Sequence, residues 1–470
     1  MRAKLPHREP AMLERWREMD LYQQIRDSRC GGPRFILHDG PPYANGSIHA
    51  GTALNKILKD IIVKSRTMLG FDSPYVPGWD CHGLPIEHQV DKKLGSKKLK
   101  MTVPEIRRSC REYADRFYKV QRDEFVRLGV LGAWQDPYLT MDHEYEAEIA
   151  TALHGFLLAG YVQRGLKPVH WCSECQTALA EAEVEYRDHS SPSITVAFPL
   201  AQDARARLDL DSDEEIAALI WTTTPWTLPA NLATALHPDF EYLVVRAHGK
   251  LWIVAAELLP AVSKSAGWNE PETVKVFKGG ILEGSHYLNP VTGREGLFIL
   301  APYVTLEQGT GLVHTAPGHG AEDYVIGTQY GLEPYAPVGD DGKFTDEVQD
   351  WAGLHVHEAN APIVDRLREL GVLLAHQVVE HSYPHCWRSK NPVIFRATNQ
   401  WFIKMDRHEL RERSQEALHT AEWIPHWGEA RIEGMVENRP DWCISRQRMW
   451  GVPITVLNCD GCGAPAVDES

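Results

Sequence analysis

The segment Phe35-Ile-Leu-His-Asp-Gly-Pro-Pro-Tyr-Ala-Asn-Gly-Ser-Ile-His-Ala-Gly-Thr52, continuing into Ala53-Leu-Asn-Lys-Ile-Leu-Lys-Asp60, leaves the chain few ways to fold. A short apolar run ends in a loop of glycines and prolines, and a helical pattern leaves that loop with apolar residues at Leu54, Ile57, Leu58, Ile61 and Ile62. This is strand, loop, helix. Gly70 then ends the helix and residues 71–76 begin a second strand, completing a β-α-β unit, the first half of a nucleotide-binding sheet. The helix N-terminus offers unpaired N–H groups and the positive end of its dipole, so His49 and Gly51 stand where a phosphate would be held. Gly51 allows close approach to the backbone and His49 can donate to phosphate oxygens; the same residues would also serve an ordinary capped turn. Neither G-x-x-x-x-G-K-[ST] nor G-x-G-x-x-G occurs.

Beyond the second strand comes Pro77-Gly-Trp-Asp-Cys-His-Gly-Leu-Pro-Ile-Glu87, where Asp80 and His82 beside glycines can floor a polar pocket and Asp80 can pair with a substrate ammonium, or merely cap the next helix. Residues 11–29 are predicted as one helix with Pro10 near its start, residues 102–128 as a long helix opened by the capping box Thr102-Val-Pro-Glu105, and residues 144–158 as a third. The long helices read as scaffold.

Cys172-Ser-Glu-Cys175 supplies two thiolates at zinc spacing, and the distant Ser382-Tyr-Pro-His-Cys386-Trp-Arg-Ser389 supplies a third. His385 or His170 can close a tetrahedral Zn2+ site, or the thiols form a metal-free cluster. Cys459 and Cys462 make half of a zinc knuckle. Between the first two thiol segments the composition turns β-rich, with runs at 219–224, 242–246 and 251–255, the last two joined at His248-Gly249. An inserted β domain is therefore predicted over residues 186–380, flanked by residues 1–185 and 381–470; neighbouring Cys172 and Cys386 would let the chain leave and return at one place. Inside it, Thr222, Thr224, Thr227 and Asn231 form one polar cluster, and His314 and Asp323 belong to a second. Such groups can bind a ribose and an ammonium and place a water for ester hydrolysis, although threonines are also ordinary strand residues.

At 470 residues there is chain enough for two or three domains. The net charge of −15 argues against broad nucleic-acid binding but not against a local basic face, such as the lysines of residues 92–100. No run of about 18 apolar residues suggests a membrane span, the polar start is unlike a secretory signal, and nine cysteines fit a reducing compartment, so a cytoplasmic protein is expected.

These motifs together resemble the class I aminoacyl-tRNA synthetases, in the form found in isoleucyl-tRNA synthetases. His49-Ala-Gly51-Thr52 is similar to the His-x-Gly-His signature, with Thr52 in place of the second histidine; Gly78 to Glu87 matches the amino-acid motif, and residues 438–454 match a further element whose arginines would touch tRNA or brace the domain. The resemblance implies an α/β fold: a Rossmann-like parallel-sheet catalytic domain, incomplete here, interrupted by an inserted β-rich editing domain. It implies isoleucine, ATP with Mg2+ and tRNA(Ile) as substrates of a monomeric ligase, with His49, Gly51 and Thr52 catalytic. Pro42, Tyr43, Ala44, Asn45 and Gly46 would form the ATP loop, and Pro41, Asp80 and His82 would hold the amino acid. Both threonine- and histidine-bearing clusters match an editing site in which Thr222, Thr224, Thr227, Asn231 and His314 shape the pocket and Asp323 anchors the ammonium. A second site is needed because a missing methylene is worth only about 1–3 kcal/mol, isoleucine against valine being the standing example. The Lys-Met-Ser-Lys-Ser-type ATP loop and a helical anticodon-binding region are absent from these residues, so an N-terminal portion is expected, unable by itself to exchange pyrophosphate. A free-standing editing deacylase, an inactive RNA-binding paralogue and a valine enzyme are the alternatives.

Overall fold

The computed structural model describes residues 4–210, 214–461 and 465–466. The chain is mixed α/β and divides into two compact units, Met1–Gly160 with Arg448–Ser470, and Tyr161–Gln447.

In the first unit the strands before residue 160 pair in parallel but only in short stretches, Gly78–Trp79 with Tyr138–Leu139 and single bridges Arg34 to Asp72 and Tyr43 to Asp80, and Leu457–Asn458 pairs antiparallel with Pro465–Ala466. The expected strands at 35–37 and 71–76 form no continuous ladder. Prolines 33, 41, 42, 74 and 77 remove the N–H donors that a ladder needs. The expected helix over 11–29 is two, Leu5–Glu18 and Leu21–Arg29, broken where Asp20 takes a left-handed conformation at φ 46°. The helix Ala50–Met68 forms as expected, but Leu54, Ile57, Leu58, Ile61 and Ile62 face outward, whereas Lys56 and Val63 are buried.

Helix Val103–Arg127 begins with the expected capping box, the Thr102 N–H donating to Glu105 Oε2 at 2.7 Å. Its buried face, Phe125 included, joins Trp79 and Trp134 in the core of this unit. Residues Arg448 to Trp450 return to it around Glu87, which is fully buried. Glu87 accepts from Arg448 at 2.6 Å and from the N–H groups of Met449 and Trp450 at 3.1 Å each.

The second unit holds two sheets. A four-stranded antiparallel sheet contains Val162–Cys172 paired along its length with Ile394–Ile403. A ten-stranded mixed sheet is entered by Val184–Pro199, which pairs with Leu373–Cys386 and with Ile216–Thr222. The expected hairpin is Glu241–Ala247 with Lys250–Ala255, turning on His248 and Gly249, both at positive φ. A large apolar core underlies this sheet, and a separate smaller cluster of Ala233, Ala235, Ile299 and Ile326 packs on it as well.

Burial works against ionisation of Glu87, yet Arg448 and the two N–H groups hold its carboxyl below 4.5. The resulting stabilisation is full above the unfolded value and is lost as pH falls through the lower folded one. Glu87→Gln is expected to lower the stability of the first unit by about 3 kcal/mol near neutral pH, with the deficit shrinking on acidification, measured by chemical unfolding at several pH values.

Candidate functional site

In the first unit, the loop before Ala50–Met68 is pinned from outside itself. The buried Gln121 donates to the carbonyls of Tyr43 and Gly46 at 3.0 and 2.8 Å and accepts from Trp79 at 2.9 Å. Tyr113 donates to Asn45 Oδ1 at 2.8 Å, and the Ile48 N–H donates to Glu124 at 2.8 Å. Ala44 is buried, and the Ala44 N–H donates to the Asp80 carbonyl while the Asp80 N–H donates to Pro42, both at 2.9 Å. Pro42 to Gly46 and the Asp80 segment are thus one backbone assembly.

His49 caps the helix. Its Nδ1 accepts from the N–H groups of Gly51 and Thr52 at 3.0 and 3.3 Å, so in this arrangement the imidazole rather than a phosphate occupies those donors, and Nε2–H is left to donate outward. A Cβ at position 51 would lie 2.9 Å from His49 Cε1, which explains the glycine. Asp80 is half-buried, and burial raises its pKa; its carboxylate accepts from the His82 N–H at 3.2 Å. His82 Nε2 lies 3.1 Å from Glu146, and burial lowers the imidazole's pKa.

Residues outside the motifs complete this side. Beneath the loop, Asp39 accepts from Lys56, Lys59 and the Tyr75 hydroxyl, and Lys56 also donates to Tyr75 at 2.6 Å. Burial brings Lys56 down to about 8. A lysine inside an apolar helical pattern, after an Asp in the preceding loop, was the available signal.

In the second unit, five of the named residues form one hydrogen-bonded chain. Tyr287 donates to Asn231 Oδ1 at 2.6 Å. Asn231 Nδ2 donates to the Ala233 carbonyl and to His314 Nδ1, both at 2.8 Å. The carbonyl can only accept, so the orientation of the amide is fixed, and with it the tautomer of His314. His314 Nε2–H therefore donates to Thr227 Oγ1 at 2.8 Å, and Thr227 donates to the Thr224 carbonyl at 2.8 Å. Thr222 and Thr224 hydroxyls lie 3.2 Å apart. Burial drives His314 down to about 3, with His319 adding to the effect. A neutral imidazole with both nitrogens engaged holds geometry and is no general base.

Asp323 lies in the first turn of helix Ala321–Gln329 and accepts from the Ala316 N–H, two residues past His314, at 2.9 Å. A Cβ on Gly320 would come within 2.9 Å of the carboxyl, so the helix begins with glycine. Burial lifts Asp323 to about 6. Among the described residues no cation pairs with it. Tyr287 escaped sequence reasoning, and His319, part of the second polar cluster in the sequence, had no role assigned to it. His319 donates from Nδ1 to the Phe395 carbonyl at 2.8 Å, and its Nε2 is buried without a partner. Tyr287 acts from 56 residues away, with no local signal.

The sulfurs of Cys172, Cys175 and Cys386 all lie within 4.8 Å of one another, with Ser389 Oγ 3.4 Å from Cys172. Hydrogen bonds from Cys172 and Cys175 push the Cys386 thiol well down, favouring its thiolate. His385 Nδ1 is 2.8 Å from the Tyr383 carbonyl, and His170 Nε2 is 3.5 Å from Glu181. Cys459 is exposed, and Cys462 lies outside the described residues.

The family model for class I tRNA synthetases (I, L, M and V) matches residues 11–464. Isoleucine–tRNA ligases of Nitratidesulfovibrio vulgaris (strain DSM 19637 / Miyazaki F), Syntrophotalea carbinolica and Geobacter sulfurreducens are 54%, 53% and 52% identical over 98%, 100% and 100% of this chain. The chain spans about half their length, 50%, 51% and 51% respectively.

Because the Asp323 carboxyl is raised from 3.8 to about 6, its contribution to stability is full below the unfolded value and lost as pH rises through the folded one. Asp323→Asn, which keeps an acceptor for Ala316, is expected to match the parent near pH 4 and exceed it by about 3 kcal/mol near pH 8 in denaturant unfolding.

Proposed function

The chain belongs to the class I tRNA synthetase family, and from that membership we propose that it is part of an isoleucine–tRNA ligase that activates isoleucine with ATP, transfers it to tRNA(Ile) and hydrolyses Val-tRNA(Ile). The observation that carries the editing half is the buried Asn231–His314–Thr227–Thr224 chain beside a carboxylate held for a cation. The 54% identity to a ligase of that name supports the amino acid.

In activation, an isoleucine carboxylate oxygen attacks the α-phosphorus of ATP–Mg2+ and pyrophosphate leaves; a ribose hydroxyl of the tRNA end then attacks the acyl carbon of the adenylate, loses its proton and releases AMP. Residues 42–46 cradle the nucleotide, His49 donates from Nε2 to phosphate, and Gly51 keeps the helix end open. Thr52 offers a hydroxyl where the family signature has a second imidazole. Asp80 binds the substrate ammonium against Pro41, and His82 is held on Glu146. Raising the pKa of Asp80 by burial is the cost of a site that stays dry until that cation enters. The role of these residues is positioning and charge stabilisation.

In editing, Asp323 holds the ammonium of a misplaced valine, while Thr222 and Thr224, placed through Thr227 and His314, fix the terminal ribose and the ester carbonyl. Water attacks that carbonyl, the ribose oxygen leaves with a proton, and valine departs. Isoleucine is excluded by size. Residues 186–380 form this editing domain, and residues 1–185 and 381–470 belong to the catalytic one. No helix among the described residues is long and apolar enough to cross a membrane.

Purified chain should deacylate Val-tRNA(Ile) and spare Ile-tRNA(Ile), with the rate climbing as pH rises through about 6 and falling at least about 100-fold in Asp323→Ala. Equal hydrolysis of both esters, or an unchanged rate in that variant, would remove the assignment. We also propose that Cys172, Cys175 and Cys386 hold a structural zinc, with Ser389 or water as the fourth ligand. Elemental analysis should find zinc in near-equimolar amount, lost together with several degrees of Tm in Cys175→Ser; a metal-free parent of the same Tm would count against it.

A further inference from the structure

The hydrogen-bonded chain from Thr227 to His314 is held from beyond Asn231 by a short edge strand, His286–Leu288, whose Tyr287 puts its hydroxyl on Asn231 Oδ1 at 2.6 Å. No step of the proposed chemistry touches this phenol. Tyr287 is 0% exposed, and its ring lies 5.2 and 5.1 Å from those of Phe198 and Phe298. A phenylalanine would serve that packing equally well, whereas a hydroxyl buried among aromatic rings is costly unless its hydrogen bond is needed.

The sheet makes room for the reach. Strand Glu295–Leu300 lies between His286–Leu288 and Ala233–Leu236, so the phenol must cross it to meet Asn231. It crosses at Gly296, which faces Tyr287 directly; a Cβ there would lie 2.2 Å from Tyr287 Cζ and 2.3 Å from its hydroxyl oxygen. Asn289, just past the same strand and 1% exposed, donates from Nδ2 to the Leu228 carbonyl at 2.9 Å. One segment therefore grips the loop that carries Thr224 and Thr227 at two points, and in both cases the gripping group is polar and buried.

The hydrogen bonds say what the phenol controls. Both amide hydrogens of Asn231 are used, on the Ala233 carbonyl and on His314 Nδ1, and its oxygen accepts from Tyr287. Without the phenol that oxygen is bare in a dry interior, and the amide turns toward another donor, taking the bond to His314 with it. His314 then loses the donor that keeps Nδ1 unprotonated, and Thr227, which accepts from Nε2, is released in turn. We propose that Tyr287 is a positioning residue: through Asn231 it holds the His314 imidazole in one tautomer and one plane, and so sets the walls by which the pocket admits valine and excludes isoleucine. This rests on the editing reading for its effect on hydrolysis, but not for its effect on His314.

The test uses the full chain with histidine labelled by nitrogen-15, as parent and as Tyr287→Phe. Ring-nitrogen resonances separate bare from protonated nitrogens, and the pair missing from His314→Gln belongs to His314. The parent should show a bare Nδ1 and a protonated Nε2, and Tyr287→Phe should show the two averaged or divided between tautomers. Deacylation of Val-tRNA(Ile) should fall about 5–10-fold in kcat with KM little changed, and the preference over Ile-tRNA(Ile) should shrink by a similar factor. A variant that was merely less stable would lose both activities together and keep their ratio. An unchanged His314 spectrum, or a ratio within twofold of the parent, overturns the proposal. If Tyr287→Phe fails to fold, fluorotyrosine at position 287 decides the matter: it keeps the ring and strengthens the donor, so the His314 resonances should move, and their staying in place overturns it. A parent that hydrolyses neither ester, while its His314 spectrum still depends on Tyr287, keeps the positioning role and removes the editing reading instead.

Discussion

A polar group taken out of water must find its partner inside the protein, and that requirement shapes each candidate site more than any apolar contact does. The loop Tyr43–Gly46 has little regular structure of its own, yet Gln121 reaches it from the middle of helix Val103–Arg127 and closes two of its carbonyls. In the second unit the same need runs as a relay from Tyr287 to Asn231, His314, Thr227 and the Thr224 carbonyl. Every member has its direction set by the one before it. Such a chain is rigid because a change in any hydrogen-bond direction would leave its neighbour unsatisfied in a dry interior.

Buried carboxylates meet three different fates. Asp39 sits between two lysines, and Glu87 has Arg448 with two backbone donors. Asp323 has a single backbone N–H and the favourable end of a short helix, which do not compensate for its burial. The first two complete their electrostatics within the fold. The third leaves it incomplete, with no cation beside it among the described residues.

What could be read from the sequence was what depends on near neighbours. The Thr102 and Glu105 capping box, the His248-Gly249 hairpin and the grouping of Thr222 to Asn231 all involve residues within a few positions of each other, and they stand as expected. The thiol cluster was legible at longer range because cysteine spacing is itself a signal. Pattern alone misled at Ala50–Met68, where periodicity located the helix but gave no sign that Lys56 turns inward to Asp39 while Leu54, Leu58 and Ile61 face out. Nor could it place the break at Asp20, which depends on a single backbone conformation. His49 shows the subtler limit. Its residue type suggested a donor to phosphate, but its Nδ1 is an acceptor for its own helix, and only Nε2 remains for that task.

The two long ribbons carry a consequence for how the molecule is made. Val184–Pro199 pairs with Leu373–Cys386, and Val162–Cys172 with Ile394–Ile403, so each pairing joins segments separated by roughly two hundred residues, the inner one nested within the outer. On a ribosome, residues 162–169 lack their partner strand while the whole intervening sheet is synthesised, only residues 170–172 pairing locally with 177–179, and the loop-closure cost of pairing the rest falls once that sheet has compacted. Assembly therefore runs from the inside outward, like a zip drawn from its middle, with Cys386 arriving at Cys172 and Cys175 before residues 394–403 close the last rows. A vectorially made chain can thus close the Asn231–His314–Thr227 relay before residues 394–403 emerge to brace the neighbouring His319 loop through the Phe395 carbonyl.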